Sequence, residues 1–100
     1  MEKIYFITKC NEQLKPIRTE YNLSQEKTAS ILGFSKKTIV EIEKGRSSLG
    51  WAGSVVLCTI FCNSEILSVT FGGNPADIIM ALAFEGTEPS YPKTLGGKVW

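Results

Sequence analysis

The sequence predicts an all-α fold of five helices, followed by a sixth helix and an irregular tail. In several segments, apolar residues recur at spacings of three or four, which is the periodicity of an amphipathic helix. Residues that cap helices and glycines that end them divide these segments from one another. The predicted helices cover about residues 14–21, 25–32, 36–44, 51–62, 65–71 and 75–85.

The first thirteen residues are expected to form an arm or a strand before the first helix. Residues 4–7 read Ile-Tyr-Phe-Ile, an apolar run that favours a strand. Pro16 fits the first turn of a helix but disrupts its interior, so the first helix is predicted to begin near Leu14. The alternative is an earlier start with a kink at Pro16. A short strand at residues 98–100 that pairs with residues 4–7 is a further expectation.

The second and third predicted helices are joined by a glycine turn. Gly33 can adopt the left-handed conformation that ends a helix, and the hydroxyl of Ser35 can cap the next one. Ala29 is small enough to let the two helices approach closely. Ile39 and Ile42 share one face of the third helix and are expected to pack, which leaves the opposite face free.

Apolar stripes and caps define the remaining helices. Ser64 is expected to cap the fifth helix and Asn74 the sixth, which opens at Pro75 and ends at Gly86. The sixth helix has to bury its stripe of Ile78, Ile79, Leu82 and Ala83. It can bury this stripe against its own domain or against a second copy of the chain, and we favour the dimer. Residues 87–100 contain two prolines and two glycines and are expected to be irregular.

The glycine-joined helix pair resembles the Cro/cI-type helix-turn-helix of the XRE family of transcriptional regulators. The matching residues, in register and without gaps, are Leu23, Ser24, Gln25, Ala29, Gly33, Ser35, Ile39, Ile42, Glu43 and Gly45. The resemblance covers residues 14–71 and implies a five-helix, lambda-repressor-like DNA-binding domain. Residues 1–13 and 72–100 lie outside it, and the latter are expected to form a dimerisation or partner surface. An ordinary helical hairpin is the alternative.

The charge distribution agrees with a DNA-binding first half. The net charge is only +1, but residues 1–50 hold nine Lys and Arg against six acidic residues. Residues 51–100 hold two Lys against four acidic residues. Positive charge is therefore concentrated beside the helix pair, where phosphate contacts are expected.

The free face of the third helix carries the residues expected to meet DNA bases. Lys36 and Lys37 stand near its N-terminus, and lysine can donate to guanine O6 and N7. Glu41 can accept a hydrogen bond from cytosine N4, and Val40 can contact a thymine methyl group. The resemblance also implies that positions 36, 37 and 41 face bases. The alternative is that both lysines contact only phosphates.

Other residues are expected to contact the DNA backbone. The resemblance implies that Gln25 hydrogen-bonds a phosphate and supports the third helix, and the start of its own helix adds a positive dipole end. The complete DNA-binding set predicted here is Gln25, Ser35, Lys36, Lys37, Thr38, Val40, Glu41, Lys44, Arg46 and Ser47.

Arg18 and Glu43 match positions that carry a largely buried ion pair in many relatives of the resembled family. The resemblance therefore implies that this pair links the first helix to the end of the third. The alternative is two separate surface charges. The pair concerns stability and affects DNA binding only indirectly.

No residue pattern indicates an enzyme, a metal site or a cofactor. The chain has no histidine, no phosphate-binding loop and no nucleophile with a placed base. Cys58 and Cys62 are four residues apart on one predicted helical face. Buried, reduced thiols are the favoured interpretation, and a redox switch is the alternative, for which the sequence gives no support. An odd total of three cysteines argues against a disulfide framework.

The leading hypothesis is a cytoplasmic, sequence-specific DNA-binding regulator, a repressor that binds a palindromic operator in double-stranded DNA as a homodimer. No signal peptide or membrane span is expected from the sequence. The alternative is an antitoxin or anti-repressor that binds a protein or peptide partner through residues 72–100. The DNA-binding piece of a larger regulator ranks third.

Overall fold

The computed structural model describes residues 1–85, and six α-helices make up most of this part of the chain. They are α1 Lys3–Glu20, α2 Gln25–Leu32, α3 Lys36–Glu43, α4 Gly50–Ile60, α5 Glu65–Phe71 and α6 Pro75–Ala83. Residues 1–85 contain no strand, so the prediction of an all-α fold is confirmed for them. The expectations for Gly86, for an irregular tail and for a strand at residues 98–100 lie outside the described residues.

The first helix begins at Lys3, so the expectation of an arm or strand over residues 1–13 was wrong. The helix continues through Pro16, whose missing N–H leaves the carbonyl of Glu12 without its usual donor. Tertiary packing offsets the free energy lost with this hydrogen bond, because one face of α1 lies wholly inside the core. The buried residues on that face are Phe6, Cys10, Leu14 and Ile17. Residues 4–7 are helical and cannot form the expected strand pair.

The N-terminal turns of α1 pack through an aromatic cluster. The ring of Phe6 lies 5.8 Å from that of Trp51 in α4 and 5.1 Å from that of Phe71 in α5, measured between centroids. The ammonium group of Lys3 lies 4.7 Å from the centre of the Trp51 ring. Aromatic pairs at these distances add to the free energy of apolar burial, so the cluster fixes the start of α1 against two other helices.

The α2–turn–α3 unit forms as its local sequence predicts. The hydroxyl oxygens of Ser24 and Ser35 accept hydrogen bonds from backbone N–H groups three residues ahead, at 3.0 and 3.1 Å. Gly33 takes a left-handed conformation with φ of +83°, and its N–H donates to the Ala29 carbonyl. Ala29 is buried between the packed helices. The two caps and the glycine therefore set both ends of the turn.

The last three helices complete the core. α5 has the predicted bounds and the predicted cap at Ser64, whose oxygen accepts from the N–H of Leu67. α4 ends at Ile60, two residues before the predicted end, so Cys62 lies beyond the helix. The prediction that Cys62 is a buried thiol was wrong, because this residue is exposed. α6 packs on α4 and α5 through buried Leu82, so it buries part of its stripe on its own domain.

Candidate nucleic-acid interface

The third helix has one packed face and one open face. Ile39 and Ile42 are buried in the core, as the spacing of the apolar residues predicts. Lys36 and Lys37 are exposed on the same helix, and Lys44, the residue that follows it, is exposed too. Val40 and Glu41 are half-buried, so both retain part of their surface in contact with solvent. The packing holds the open face of α3 in place, which is what a surface that reads a ligand by fixed contacts needs.

Two hydroxyl groups are in contact at the N-terminal cap of α3. The oxygens of Ser35 and Thr38 lie 2.9 Å apart, and that of Ser35 also accepts from the backbone N–H of Thr38. Each hydroxyl has one hydrogen, and the contact between them uses only one. The pair therefore has one hydroxyl hydrogen that this contact does not use, in the same turn of α3 as Lys36 and Lys37.

The ion pair expected between Arg18 and Glu43 is present. Nε and Nη2 of Arg18 donate to the two carboxylate oxygens of Glu43 at 2.8 and 3.0 Å. Nη1 of Arg18 also donates to the carbonyl of Leu23 at 3.1 Å. The two charged side chains are only 15% and 6% exposed, respectively. This two-pronged pair joins α1, the loop before α2 and the end of α3.

Gln25 belongs to the same hydrogen-bond network. Its Nε2 donates to Oε1 of Glu43 at 3.1 Å, a contact that the sequence did not predict. The second hydrogen on Nε2 is not used by this bond. Because Gln25 is the first residue of α2, its side chain ties the start of that helix to the end of α3. The support of α3 that the resemblance implied thus has a structural counterpart in this bond.

The surroundings of Glu43 make the stability of the fold dependent on pH. Burial raises the pKa of this carboxyl group, but hydrogen bonds from Arg18 and Gln25 and the charges of Arg18 and Lys15 lower it more. The net pKa is therefore lower than that of the unfolded chain. Such a group stabilises the fold above the unfolded pKa, and the stabilisation is lost as pH falls through the folded pKa.

We expect acid to weaken the wild-type fold more than a Glu43→Gln variant. Urea unfolding at neutral pH and at steps below about pH 4.3, the ordinary value for glutamate, measures the difference. Glu12→Gln is a suitable control because Glu12 is an exposed carboxylate. Equal losses of stability on acidification in wild type and Glu43→Gln would show that protonation of Glu43 does not govern acid unfolding.

The loop between α3 and α4 is held on α1 by Asn11. Its amide oxygen accepts from the N–H of Leu49 at 2.8 Å, and its Nδ2 donates to Ser48 at 3.1 Å. Sequence reasoning missed this residue because residues 1–13 were assigned to an arm. Asn11, Lys15 and Arg18 recur at steps of four and three, so helical periodicity would have placed them on one face. Lys15 is exposed and is a further missed cation beside this loop.

Two predicted residues lie in that loop. Arg46 is 66% exposed, and its guanidinium lies 3.9 Å from the carboxylate of Glu41, a contact at the limit of an ion pair. The backbone N–H of Arg46 donates to the Glu41 carbonyl at 2.8 Å. Ser47 is exposed and lines a cleft of about 300 Å³ between α1 and the end of α3, together with Lys15. The loop therefore extends the open face of α3 towards α1.

The charge of this surface favours an anionic ligand. Residues 25–47 include five Lys and Arg against three acidic residues. One of those acidic residues, Glu43, is already neutralised by Arg18 from α1. The exposed cations are Lys27, Lys36, Lys37, Lys44 and Arg46. A cluster of this sign raises the local concentration of a polyanion such as nucleic acid.

Residues 1–85 contain no group of three or more Cys, Asp or Glu side chains arranged to hold a metal ion. Over the same range, no single helix is long and apolar enough to cross a membrane. α5 and α6 taken together have the length and apolar composition of a membrane span, but a bend of 54° separates them.

Comparison of the chain with protein-family models, with curated proteins and with solved structures gave no match in any of the three.

Proposed function

We propose that this protein is a sequence-specific DNA-binding transcriptional regulator, a repressor with a lambda-repressor-like helix-turn-helix of the Cro/cI type. The observation that carries the proposal is α3 itself. It packs through Ile39 and Ile42 and presents Lys36 and Lys37 on an open face. A capped helix with this division can lie in the major groove with its first turn against the base edges.

In this proposal the open face of α3 reads the bases. Lys36 and Lys37 donate to guanine, and the exposed part of Val40 contacts a thymine methyl group. Glu41 accepts from cytosine, and Arg46, 3.9 Å away, partly offsets its charge near the phosphates. The residues that fix α3 lie on its other side, so base contacts do not compete with the packing of the core.

Phosphate contacts surround α3 in the same arrangement. Donors are the free hydrogen of the Ser35–Thr38 pair, the second Nε2 hydrogen of Gln25, and the exposed side chains of Lys44, Arg46 and Ser47. Gln25 and Ser35 lie at the starts of α2 and α3, whose free N–H groups and dipoles favour an anion. These contacts supply affinity, and their number sets the dependence of binding on salt.

A homodimer on a palindromic site is the proposed working state. Met80 in α6, Phe84 directly after it, and Val56 and Ile60 in α4 are exposed, so apolar surface remains on the folded part of the chain that the structure describes. Residues 50–63 carry no charge, so two copies of α4 can approach without charge repulsion. A dimer places two recognition helices about 34 Å apart, one turn of DNA.

The same exposed side chains favour the second candidate function. An antitoxin or anti-repressor would use the surface of α6, with the rest of residues 72–100, to bind a protein or peptide partner. Met80 and Phe84 are large apolar side chains of the kind that protein interfaces bury. The DNA-binding experiment separates an anti-repressor from the first function, because an anti-repressor needs no base contacts. An antitoxin would still bind DNA, and isolation as a stable complex with a second polypeptide identifies it.

DNA selected from a random duplex library, followed by fluorescence anisotropy, tests the proposal. We expect an enriched palindrome and binding that resists random competitor DNA. The Lys36→Ala/Lys37→Ala variant is expected to bind the selected site about 30-fold more weakly or worse, since each lost base contact costs about 1–3 kcal/mol.

Lys3→Ala/Lys9→Ala is the matched control, because it removes the same charge from α1 rather than from α3. We expect it to retain most of the affinity for the selected site. No enriched sequence, or equal losses in the two double variants, would overturn reading of bases by α3 and leave the partner-binding candidate.

A further inference from the structure

Two buried thiols from distant parts of the chain face each other in the core. Sγ of Cys10 in α1 lies 3.8 Å from Sγ of Cys58 in α4, and the two residues are 48 positions apart. They are 0% and 3% exposed. From the sequence, Cys58 and Cys62 were expected to be buried, reduced thiols on one helical face, but Cys62 is exposed and lies beyond α4.

The surroundings make the two thiols unequal. A hydrogen bond from the Cys58 thiol lowers the pKa of Cys10; burial acts in the opposite direction, and Ser54 adds a smaller lowering. The same bond to Cys10, together with burial, raises the pKa of Cys58. The lowered pKa favours Cys10 as the thiol of the pair that ionises first.

We propose that Cys10 and Cys58 form an oxidative modification site, at which a hydroperoxide produces a reversible disulfide between α1 and α4. The proposal rests on the contact between the two sulfur atoms, which lie 3.8 Å apart on two different helices. Their burial limits access of the peroxide and slows the first step. It does not depend on DNA binding.

The reaction takes place in two steps. The thiolate of Cys10 attacks the terminal oxygen of the hydroperoxide, the O–O bond breaks, and the product is a sulfenic acid with release of water or an alcohol. The sulfur of Cys58 then attacks the Cys10 sulfur and displaces water. Two thiol hydrogens and two electrons have passed to the peroxide, and one S–S bond has formed. An added dithiol reverses the change by exchange.

The disulfide would close a loop that contains α2 and α3. Its sulfur atoms must approach from 3.8 Å to about 2.05 Å, which requires side-chain rotation or a slight shift of α1 against α4 in a close-packed core. We therefore expect slow formation in the folded protein. Once formed, the bond reduces the number of conformations open to the unfolded chain. The oxidised protein is therefore expected to unfold at a higher urea concentration.

The test uses the full chain with Cys62→Ser, which removes the exposed thiol and leaves only the pair. After treatment of the folded protein with hydrogen peroxide and blocking of free thiols, we expect intact mass to fall by two hydrogens. Trypsin should release residues 10–18 joined to residues 47–93, and dithiothreitol should separate them. The urea midpoint should rise on oxidation and return on reduction.

Cys10→Ser/Cys62→Ser and Cys58→Ser/Cys62→Ser are the controls, and neither is expected to give the linked peptides or the rise in midpoint. Circular dichroism before oxidation establishes that the Cys62→Ser protein is folded. Two blocked, unlinked thiols after peroxide treatment would overturn the proposal. So would addition of oxygen without a link, or links only between separate chains.

Discussion

Replacement of Phe6 by alanine is expected to lower the free energy of unfolding by about 3–5 kcal/mol. The Phe6 side chain has no exposed surface and packs against the rings of Trp51 and Phe71. Its removal loses both apolar burial and two aromatic contacts, and it leaves a cavity where α1, α4 and α5 meet. Since small domains have only about 5–15 kcal/mol of stability in total, chemical denaturation will measure the effect readily.

Ile4→Ala is the matched control for this variant. Ile4 lies in the same turns of α1 but is 66% exposed, so its truncation is expected to change stability by less than about 0.5 kcal/mol. Comparable small effects at both positions would mean that the N-terminal turns of α1 do not pack on the domain in solution.

Glu43→Ala is expected to cost about 3–5 kcal/mol in unfolding free energy, because it strands the guanidinium of Arg18. Arg18 is held at two points by Glu43 and is only 15% exposed, so water does not replace the lost partner fully. Gln25 loses its acceptor in the same variant. The two losses act at the place where α1, α2 and α3 meet.

Arg46→Ala provides the comparison, since it breaks the open pair with Glu41 at 3.9 Å. Exposed pairs contribute about 0–1 kcal/mol, so little change in the urea midpoint is expected. The double variant Arg18→Ala/Glu43→Ala completes a thermodynamic cycle. Additive losses in that cycle would argue that the two side chains are not energetically coupled, contrary to the observed geometry.

Elements set by local signals were predictable from the sequence. Ser24 and Ser35 satisfy backbone groups within three residues, and Gly33 ends a helix through its own conformation. These effects need no knowledge of the rest of the fold. The bounds of α2 and α5 were therefore predicted correctly, and the end of α3 differs by one residue.

The start of α1 was not predictable in the same way. Pro16 and the apolar run at residues 4–7 both favour a later start by local rules. The opposing contribution is the packing of Phe6 on α4 and α5, which depends on residues 45 or more positions away. Tertiary packing thus outweighed the local preference, and the error also hid Asn11 as a tether of the α3–α4 loop.

The candidate site was predictable in its residue types but not in its contacts. The exposed lysines of α3 follow from the periodicity of Ile39 and Ile42. The bond from Gln25 to Glu43 and the contact between Cys10 and Cys58 join residues that only the three-dimensional fold brings together. The Arg18–Glu43 pair was expected from the family resemblance, not from spacing.

The division of α3 into a packed face and an open face means that the open face can be changed without altering the packing of the helix. Ile39, Ile42 and Glu43 hold it in the domain, and none of them lies among the exposed lysines. Positions 36, 37, 40 and 41 can therefore be randomised together with little loss of folding stability. If α3 binds DNA bases, such a library makes this chain a scaffold for new binding specificities, with the core residues left unchanged.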